Sequence, residues 1–314
     1  MVAVSALASF LVITGGVLAS VGGTQDTIVF PNAERRNLHR KLYPRRADNA
    51  TVLLPIDVRL FPEVKYGERA MLMRSQVYMH VITPGDVKGE GYISDAALSA
   101  QMEVLNDAFE PVGFQFNLLN TTRTINEYWY NNLLEARPSE REVSAALRQG
   151  DLATLNIYSM GVVNTTETAW AALPASQASY DGVFQNNTAF LGGSRPLNEG
   201  ITLVHEVGHW CGLYHVFNFG CAVSYDYVAD TPNQQAPDIS GGCDIGRDSC
   251  PDQPGLDSIH NYMSYSDDYC RYEFTPGQIQ RMREQMAKFR GVVYPGIDVN
   301  NIPEDSVEIP PPEE

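Results

Sequence analysis

Three of the chain's six histidines fall between positions 205 and 215, in the run HEVGHWCGLYH, where with Glu206 and Gly212 they have the spacing H-E-x-x-H-x-x-G-x-x-H. On a helix, His205 and His209 are four residues apart and project from one face, so two imidazoles can reach one ion. Gly212 is where that helix is expected to stop, because glycine accepts the left-handed conformation that reverses the chain. The turn would bring His215 to the ion from another direction. Three nitrogen ligands and an open fourth position describe a catalytic zinc site rather than a closed structural one. Glu206 is rotated about 100° around the helix from His205 and is the candidate general base, placed to take a proton from a zinc-activated water and pass it to a leaving amine. A core helix with incidental histidines would bury costly polar groups without purpose. A zinc site without catalysis is the better alternative, and retention of the glutamate argues against it.

The elements that must position these residues read as an α+β layer with a mixed sheet. Residues 76–83 (QVYMHVIT) alternate as a strand, with His80 inside it as a structural histidine. Ser94 caps a helix whose Leu98, Met102, Leu105 and Phe109 recur at helical spacing, and Gly113 precedes a strand over 114–119. Pro138 and the capping box Ser139-x-x-Glu142 open a second helix that ends by Gly150. A strand over 152–160 and weaker strands over 169–173 and 182–191 follow. Beyond Val216 the composition turns to Gly, Pro, Asp, Asn and Cys as far as Phe274, an irregular region too poor in periodicity for sheets or long helices. Thr275-Pro276 then starts a last helix with Ile279, Met282, Met286 and Phe289 on one face, stopped by Gly291.

The flanks speak to compartment. Residues 1–19 carry no charge, are mostly apolar and end on Val17-Leu18-Ala19, which reads as a secretory signal peptide, with a signal anchor as the alternative. Residues 20–46 hold Arg35, Arg36, Arg40, Lys41, Arg45 and Arg46, and the dibasic end before Ala47 marks a candidate pro-segment able to dock on an acidic body. A solvated basic linker is the plainer alternative. Residues 47–75 form an N-terminal extension, 76–297 the catalytic domain, and 298–314 an acidic, proline-rich tail expected to be disordered. With 22 basic against 38 acidic residues the net charge is −16, the wrong sign for nucleic acid. Sequons at Asn49, Asn120, Asn164 and Asn186, and five cysteines within positions 211–270, fit an exported chain. Spacing alone leaves the cysteine connectivity open. Between 201 and 270 there are ten acids and one base, Arg247, so the oxygen-rich loops could take calcium or simply be solvated.

The run of histidines followed by Asn261-Tyr262-Met263-Ser264-Tyr265 resembles the metzincin metallopeptidases, whose motif is followed by a methionine turn. The stretches Val228-Ala229-Asp230-Thr231-Pro232, Gly246-Arg247-Asp248-Ser249-Cys250-Pro251, Ser266-Asp267-Asp268 and Phe274-Thr275-Pro276-Gly277-Gln278 resemble the pappalysin family, in particular secreted extracellular metalloproteinases of fungi. The resemblance implies a metzincin-type zincin: a twisted mixed sheet with the active-site helix in an upper subdomain, and a disulfide-stapled lower subdomain with a C-terminal helix. It implies zinc ligands His205, His209 and His215, base Glu206, and Met263 as the floor beneath the histidines. Tyr265 would lie near the metal, able to hydrogen-bond an oxyanion, a packed tyrosine being the alternative. It also implies bridges Cys221–Cys250 and Cys243–Cys270, and leaves room for a structural calcium near Asp226, Asp230 and Thr231, with solvated acidic loops as the alternative. Cys211 would then be left over, pointing about 200° from the zinc as a buried thiol. His260, in the approach to the methionine turn, is expected to be structural.

The reading is a secreted, zinc-dependent endopeptidase, made as a zymogen, that acts on protein or peptide substrates. It would be monomeric and free of the membrane once the signal is removed. An extended substrate would pair with an edge strand, with residues 169–173 the candidate. The alternatives are a catalytically inactive secreted zinc glycoprotein that binds peptides or metal, and a metal-dependent amidase with a non-peptide substrate.

Overall fold

The computed structural model describes residues 72–85, 90–135, 137–161, 168–176, 180–222, 226–237 and 242–305. The signal, pro-segment and extension expectations, and the sequons at Asn49 and Asn164, therefore lie outside the described residues.

Strand β1 (Met73–Thr83) sends Val77, Met79 and Val81 to one face and His80 and Ile82 to the other, and all five are buried. A strand buried on both faces must be central, with layers above and below it. The sheet order is β2-β1-β3-β5-β4, where β2 is Phe114–Ile125, β3 Leu155–Met160, β4 Ala169–Ala171 and β5 Val183–Asn186. All neighbours pair in parallel except β4, which runs antiparallel along the outside of β5. Helix α1 (Asp95–Phe109) places Leu98, Met102, Leu105 and Phe109 against one face, with Val77, Met79, Leu155 and Ile157. Helices α2 (Glu127–Asn132) and α3 (Pro138–Leu147) lie on the other, where Tyr130, Leu133 and Val143 join Ile82, Tyr158 and Phe184.

That second face carries a ladder of rings across four strands. His80 stacks on Tyr158, Tyr158 on Phe184 and Phe184 on Trp170, with centroids 4.8, 4.6 and 5.2 Å apart, each pair directly opposite in register. Cross-strand ring pairs of this kind stabilise a sheet by about 0.2–1 kcal/mol each. His80 is also held by the Thr122 hydroxyl at 2.8 Å and the Asn156 amide oxygen at 3.0 Å, which accounts for it as a structural residue.

Helix α4 (Ile201–Trp210) packs on the first face beside α1 and runs next to β4 and β5. From Cys211 to Phe274 the chain has no long element among the described residues, and α5 (Pro276–Arg290) closes the fold. The Thr275–Gln278 capping box and a left-handed Gly291 bound α5, where the sequence places its ends.

Several bounds differ from the sequence reading: β1 starts at Met73 rather than 76, β4 ends at Ala171 rather than 173, and β5 covers only Val183–Asn186 of the expected 182–191. β2 continues to Ile125 because β1 pairs along its whole length, with a bulge that steps from Val77–Leu118 to Tyr78–Asn120. Pro138, with its preset φ, occupies the first helical position of α3, so Arg137 is the cap and the expected Ser139 capping box does not form. The Ser139 hydroxyl donates to the Asn132 carbonyl instead. β3 begins at Leu155 rather than 152, because the Asp151 and Thr154 side chains close a turn over 151–154. The tail is described as far as residue 305, and Asp305 forms a two-bond ion pair with Arg281 on α5.

Candidate active site

Nine of the ten residues of α4 are buried, including His205 and Glu206. The helix ends at Trp210, and Gly212 follows at φ 103°, a backbone region that side chains rarely enter. A β-carbon on Gly212 would also stand 2.5 Å from the side chain of Gln285 on α5. The reversal sends the chain back so that the Leu213 carbonyl accepts from His209 Nδ1 at 2.7 Å, while the Tyr262 carbonyl accepts from His205 Nδ1 at 2.7 Å. His215 bonds the Asn218 side chain and lies flat against Phe217, rings 4.7 Å apart.

A carbonyl only accepts, so Nδ1 of His205 and of His209 each carries the proton, and each neutral ring turns an Nε2 lone pair inward. The three Nε2 atoms stand 3.1 Å from one another in a triangle. Lone pairs so arranged cannot satisfy one another, whereas a cation satisfies all three. A triangle of that edge has its corners about 1.8 Å from its centre, so zinc–imidazole bonds of about 2.0–2.1 Å can reach all three, and one side stays open. The donor set fits zinc. The electrostatics agree: burial, reinforced by the neighbouring imidazoles and Arg271, holds His205 well below the usual histidine range. Burial lowers His209 to about 4, and burial with His209 beside it lowers His215 to about 2. The rings stay neutral and available as ligands.

Burial likewise raises the Glu206 carboxyl to about 8, with Arg271 pulling it down and Glu135 pushing it up. Tyr265, 43% exposed, lays its ring edge-on to His215 at 4.8 Å and to Phe217 at 4.7 Å, and 5.7 Å from His205. Met263 is fully buried beneath α4: a β-carbon on Gly208 would lie 2.5 Å from its sulfur, so that glycine permits the close approach. The Asn261 amide oxygen accepts from Met263 N at 2.9 Å, while its side chain exchanges two bonds with Gln278 of α5.

The remaining expected residues take the following places. Cys221 is bridged to Cys250 and Cys243 to Cys270, and Cys211 is free and buried, its thiol pushed up to about 12 by burial. Asp226 accepts from Val228 N at 3.1 Å and the Thr231 hydroxyl at 2.5 Å. Asp230 instead turns to the start of α5, accepting from the Thr275 hydroxyl at 2.7 Å and Gly277 N at 2.9 Å. The three calcium candidates thus share a loop, but Asp230 faces a helix N-terminus. Asn186 is buried, its side-chain oxygen taken by Thr188, whereas Asn120 is exposed on β2. His260 donates to the Cys270 carbonyl at 2.8 Å and stacks on Tyr272.

Sequence reasoning missed Gly208, Phe217, Asn218 and Arg271. The first lies inside the motif and the next two stand two and three residues after His215, so proximity was the available signal. Arg271 had only a weak one, a base three residues after Asp268.

Residues 151–287 match the profile of a peptidase family described as pregnancy-associated plasma protein-A. An extracellular metalloprotease of Colletotrichum graminicola is 41% identical over 268 residues, which cover 83% of this chain and 88% of that protein. One from Pyricularia oryzae is 44% identical over 228 residues, 71% of this chain and 78% of the relative. Mature mirolysin of Tannerella forsythia, solved in complex with a cleaved peptide, superposes with a TM-score of 0.61 at 24% identity over 74% of this chain and 98% of mirolysin. That likeness speaks to the fold.

Proposed function

The chain belongs to the pappalysin family of metallopeptidases, and from that premise we propose that it is a secreted zinc endopeptidase whose metal is held by His205, His209 and His215. The observation that carries the zinc reading is the triangle of imidazole lone pairs 3.1 Å apart, two of them aimed by backbone carbonyls. Zinc in that place supplies Lewis-acid activation of water and of a peptide carbonyl.

Glu206 is the base in this proposal. It lies one residue from a ligand, and the cation held by the three imidazoles would favour its ionised, proton-accepting form over the neutral form that burial favours in the metal-free protein. It takes a proton as water adds to the carbonyl carbon and returns it to the amine as the C–N bond breaks. Tyr265, its ring packed on His205 and His215, offers a hydroxyl to the oxygen that gains charge. Extended substrate pairs with β4, whose Ala169 and Ala171 edge is antiparallel to β5 and next to α4. Trp170 holds that short strand, its indole donating to the buried Glu140 carboxylate at 2.6 Å.

Secretion is supported by the extracellular designation of the relatives and by the uncharged leader. No helix among the described residues is long and apolar enough to cross a membrane. A structural calcium near Asp226, Asp230 and Thr231, with a solvated acidic loop as the alternative, is a separate proposal; Asp226 and Thr231 are bonded to each other, while Asp230 faces the start of α5.

The test is cleavage of an unbiased peptide mixture by the protein recovered from culture medium, with products mapped by mass spectrometry. Internal cleavage abolished by a chelator and restored by zinc is expected. A folded, zinc-loaded protein that cleaves nothing overturns the peptidase reading in favour of peptide or metal binding.

A further inference from the structure

Arg271 and Asp268 form a buried ion pair, 2.7 Å between Nη2 and Oδ1, with side chains 4% and 0% exposed. Ion pairs so deep need further partners to offset desolvation, and both ends of this one have them at the site. Arg271 Nη1 donates to the Ser264 carbonyl at 3.1 Å and, at 3.4 Å, to the Tyr262 carbonyl, the same oxygen that accepts from His205 Nδ1. Asp268 Oδ2 accepts from Glu199 N at 2.9 Å, and its carboxylate is also bonded by the Ile201 backbone, the first residue of α4. Helix α4 has no side-chain cap of its own, since glycine stands at its cap position, so Asp268 supplies the missing acceptor and a favourable charge at its positive end.

One pair therefore ties the start of α4 to the two carbonyls on either side of Met263. The Tyr262 carbonyl sets the tautomer and ring plane of His205, and the Ser264 carbonyl belongs to the peptide that leads into Tyr265. We infer that Arg271, held by Asp268, is a positioning residue for the metal centre, fixing His205 and Tyr265 together. The inference rests on the zinc-site reading above and goes beyond it, because it assigns metal affinity to two side chains that touch neither the metal nor a substrate. Groups that orient ligating histidines typically contribute 10–100-fold to metal affinity or activity.

The test is zinc affinity, measured by competition with a chromophoric chelator on the full-length protein. Beside it run the visible spectrum of the cobalt-substituted protein and urea unfolding of the chelated form. The double variant Asp268→Asn/Arg271→Met removes both charges and leaves an amide at Glu199. Arg271→Lys keeps the charge for Asp268 but cannot reach both carbonyls, which covers the case in which the double variant fails to fold. Asp257→Asn/Arg247→Met removes another partly buried pair, one bonded to Ser249 and the Gln235 loop, and serves as the control for lost stability. The expected result is zinc binding weakened at least tenfold in the double variant, by a smaller factor in Arg271→Lys, and unchanged in the control, with an altered cobalt spectrum only in the first two. Zinc affinity within twofold of the parent in a folded double variant, or in Arg271→Lys if only that one folds, overturns the inference. If His205→Ala binds zinc as the parent does, the zinc-site reading fails as well, so the two failures are distinguishable.

Discussion

Arg290, near the end of α5, is a donor hub whose removal has a size that can be worked from its contacts. Its guanidinium holds Asp181 through two bonds of 2.9 and 3.0 Å, donates from Nε to the Trp210 carbonyl at 3.0 Å and from Nη1 to the Leu152 carbonyl at 3.0 Å. It also stacks 3.8 Å over the Trp210 ring. The side chains are 2% and 7% exposed, so Arg290→Met leaves Asp181 buried with the Trp210 indole at 3.2 Å and Arg148 at 3.4 Å as its remaining partners. Breaking a buried pair from one side costs about 3–5 kcal/mol, and the partial compensation by Arg148 argues for the lower end. Against a total of about 5–15 kcal/mol that is a large fraction, equivalent to a fall of roughly 10 °C in Tm for a domain of this size. Adding Asp181→Asn removes the stranded charge, so the double variant should lose less than the sum of the singles, with a coupling of about 2 kcal/mol. Urea unfolding followed by tryptophan fluorescence measures all three, since Trp210 is fully buried beside the pair. A loss below about 1 kcal/mol for Arg290→Met, the value of an exposed pair, or strict additivity, would refute the reasoning.

Other consequences are open to measurement. In chelated protein the Glu206 carboxyl, raised to about 8 from 4.5, contributes stability that is present below 4.5 and lost as pH rises through 8. Glu206→Gln should therefore stabilise the chelated protein more at pH 7.5 than at pH 5.5, by about 2 kcal/mol in urea titrations, and an equal effect at both would contradict the burial argument. Trp170→Leu removes the indole bond to Glu140 and one end of the ring ladder, so KM for extended peptides should rise several-fold with kcat little changed; the reverse split would detach β4 from substrate binding. Cys211 is fully buried with its thiol near 12, so a thiol reagent should titrate no group in the native protein and one per chain after denaturation, and native labelling would place it elsewhere.

The centre was legible because its chemistry is local. His205, Glu206, His209 and Gly212 sit within two turns and a reversal of chain, and the structure needs a glycine at 212 on two counts, φ and contact with Gln285. The helix ends at Ser94, Thr275 and Gly291 were legible for the same reason, since a cap acts on its own neighbours. The groups that hold the histidines were not, because their partners are distant in sequence: the Tyr262 carbonyl is 57 residues from His205, and the side chain of Asp268 meets Glu199 across 69. The same limit explains the length of β2, whereas the late start of β3 is set locally by the turn that Asp151 and Thr154 close. β2 runs on past Leu119 through exposed and half-buried residues because β1 is there to pair with them; its threonines and Ile125 favour a strand, but no apolar alternation marks the extension. Where two local signals competed, at Pro138 and Ser139, the rigid φ of proline set the helix start and the serine was left to bond elsewhere.

The most direct test of the account measures zinc content and peptide cleavage on the same sample of Glu206→Gln, with parent and His205→Ala alongside. The account predicts that Glu206→Gln keeps its zinc while cleavage falls by about 10²–10⁴-fold, the usual contribution of a general base, and that His205→Ala loses both. Parental cleavage by a zinc-loaded Glu206→Gln, or full zinc retention by His205→Ala, would contradict it.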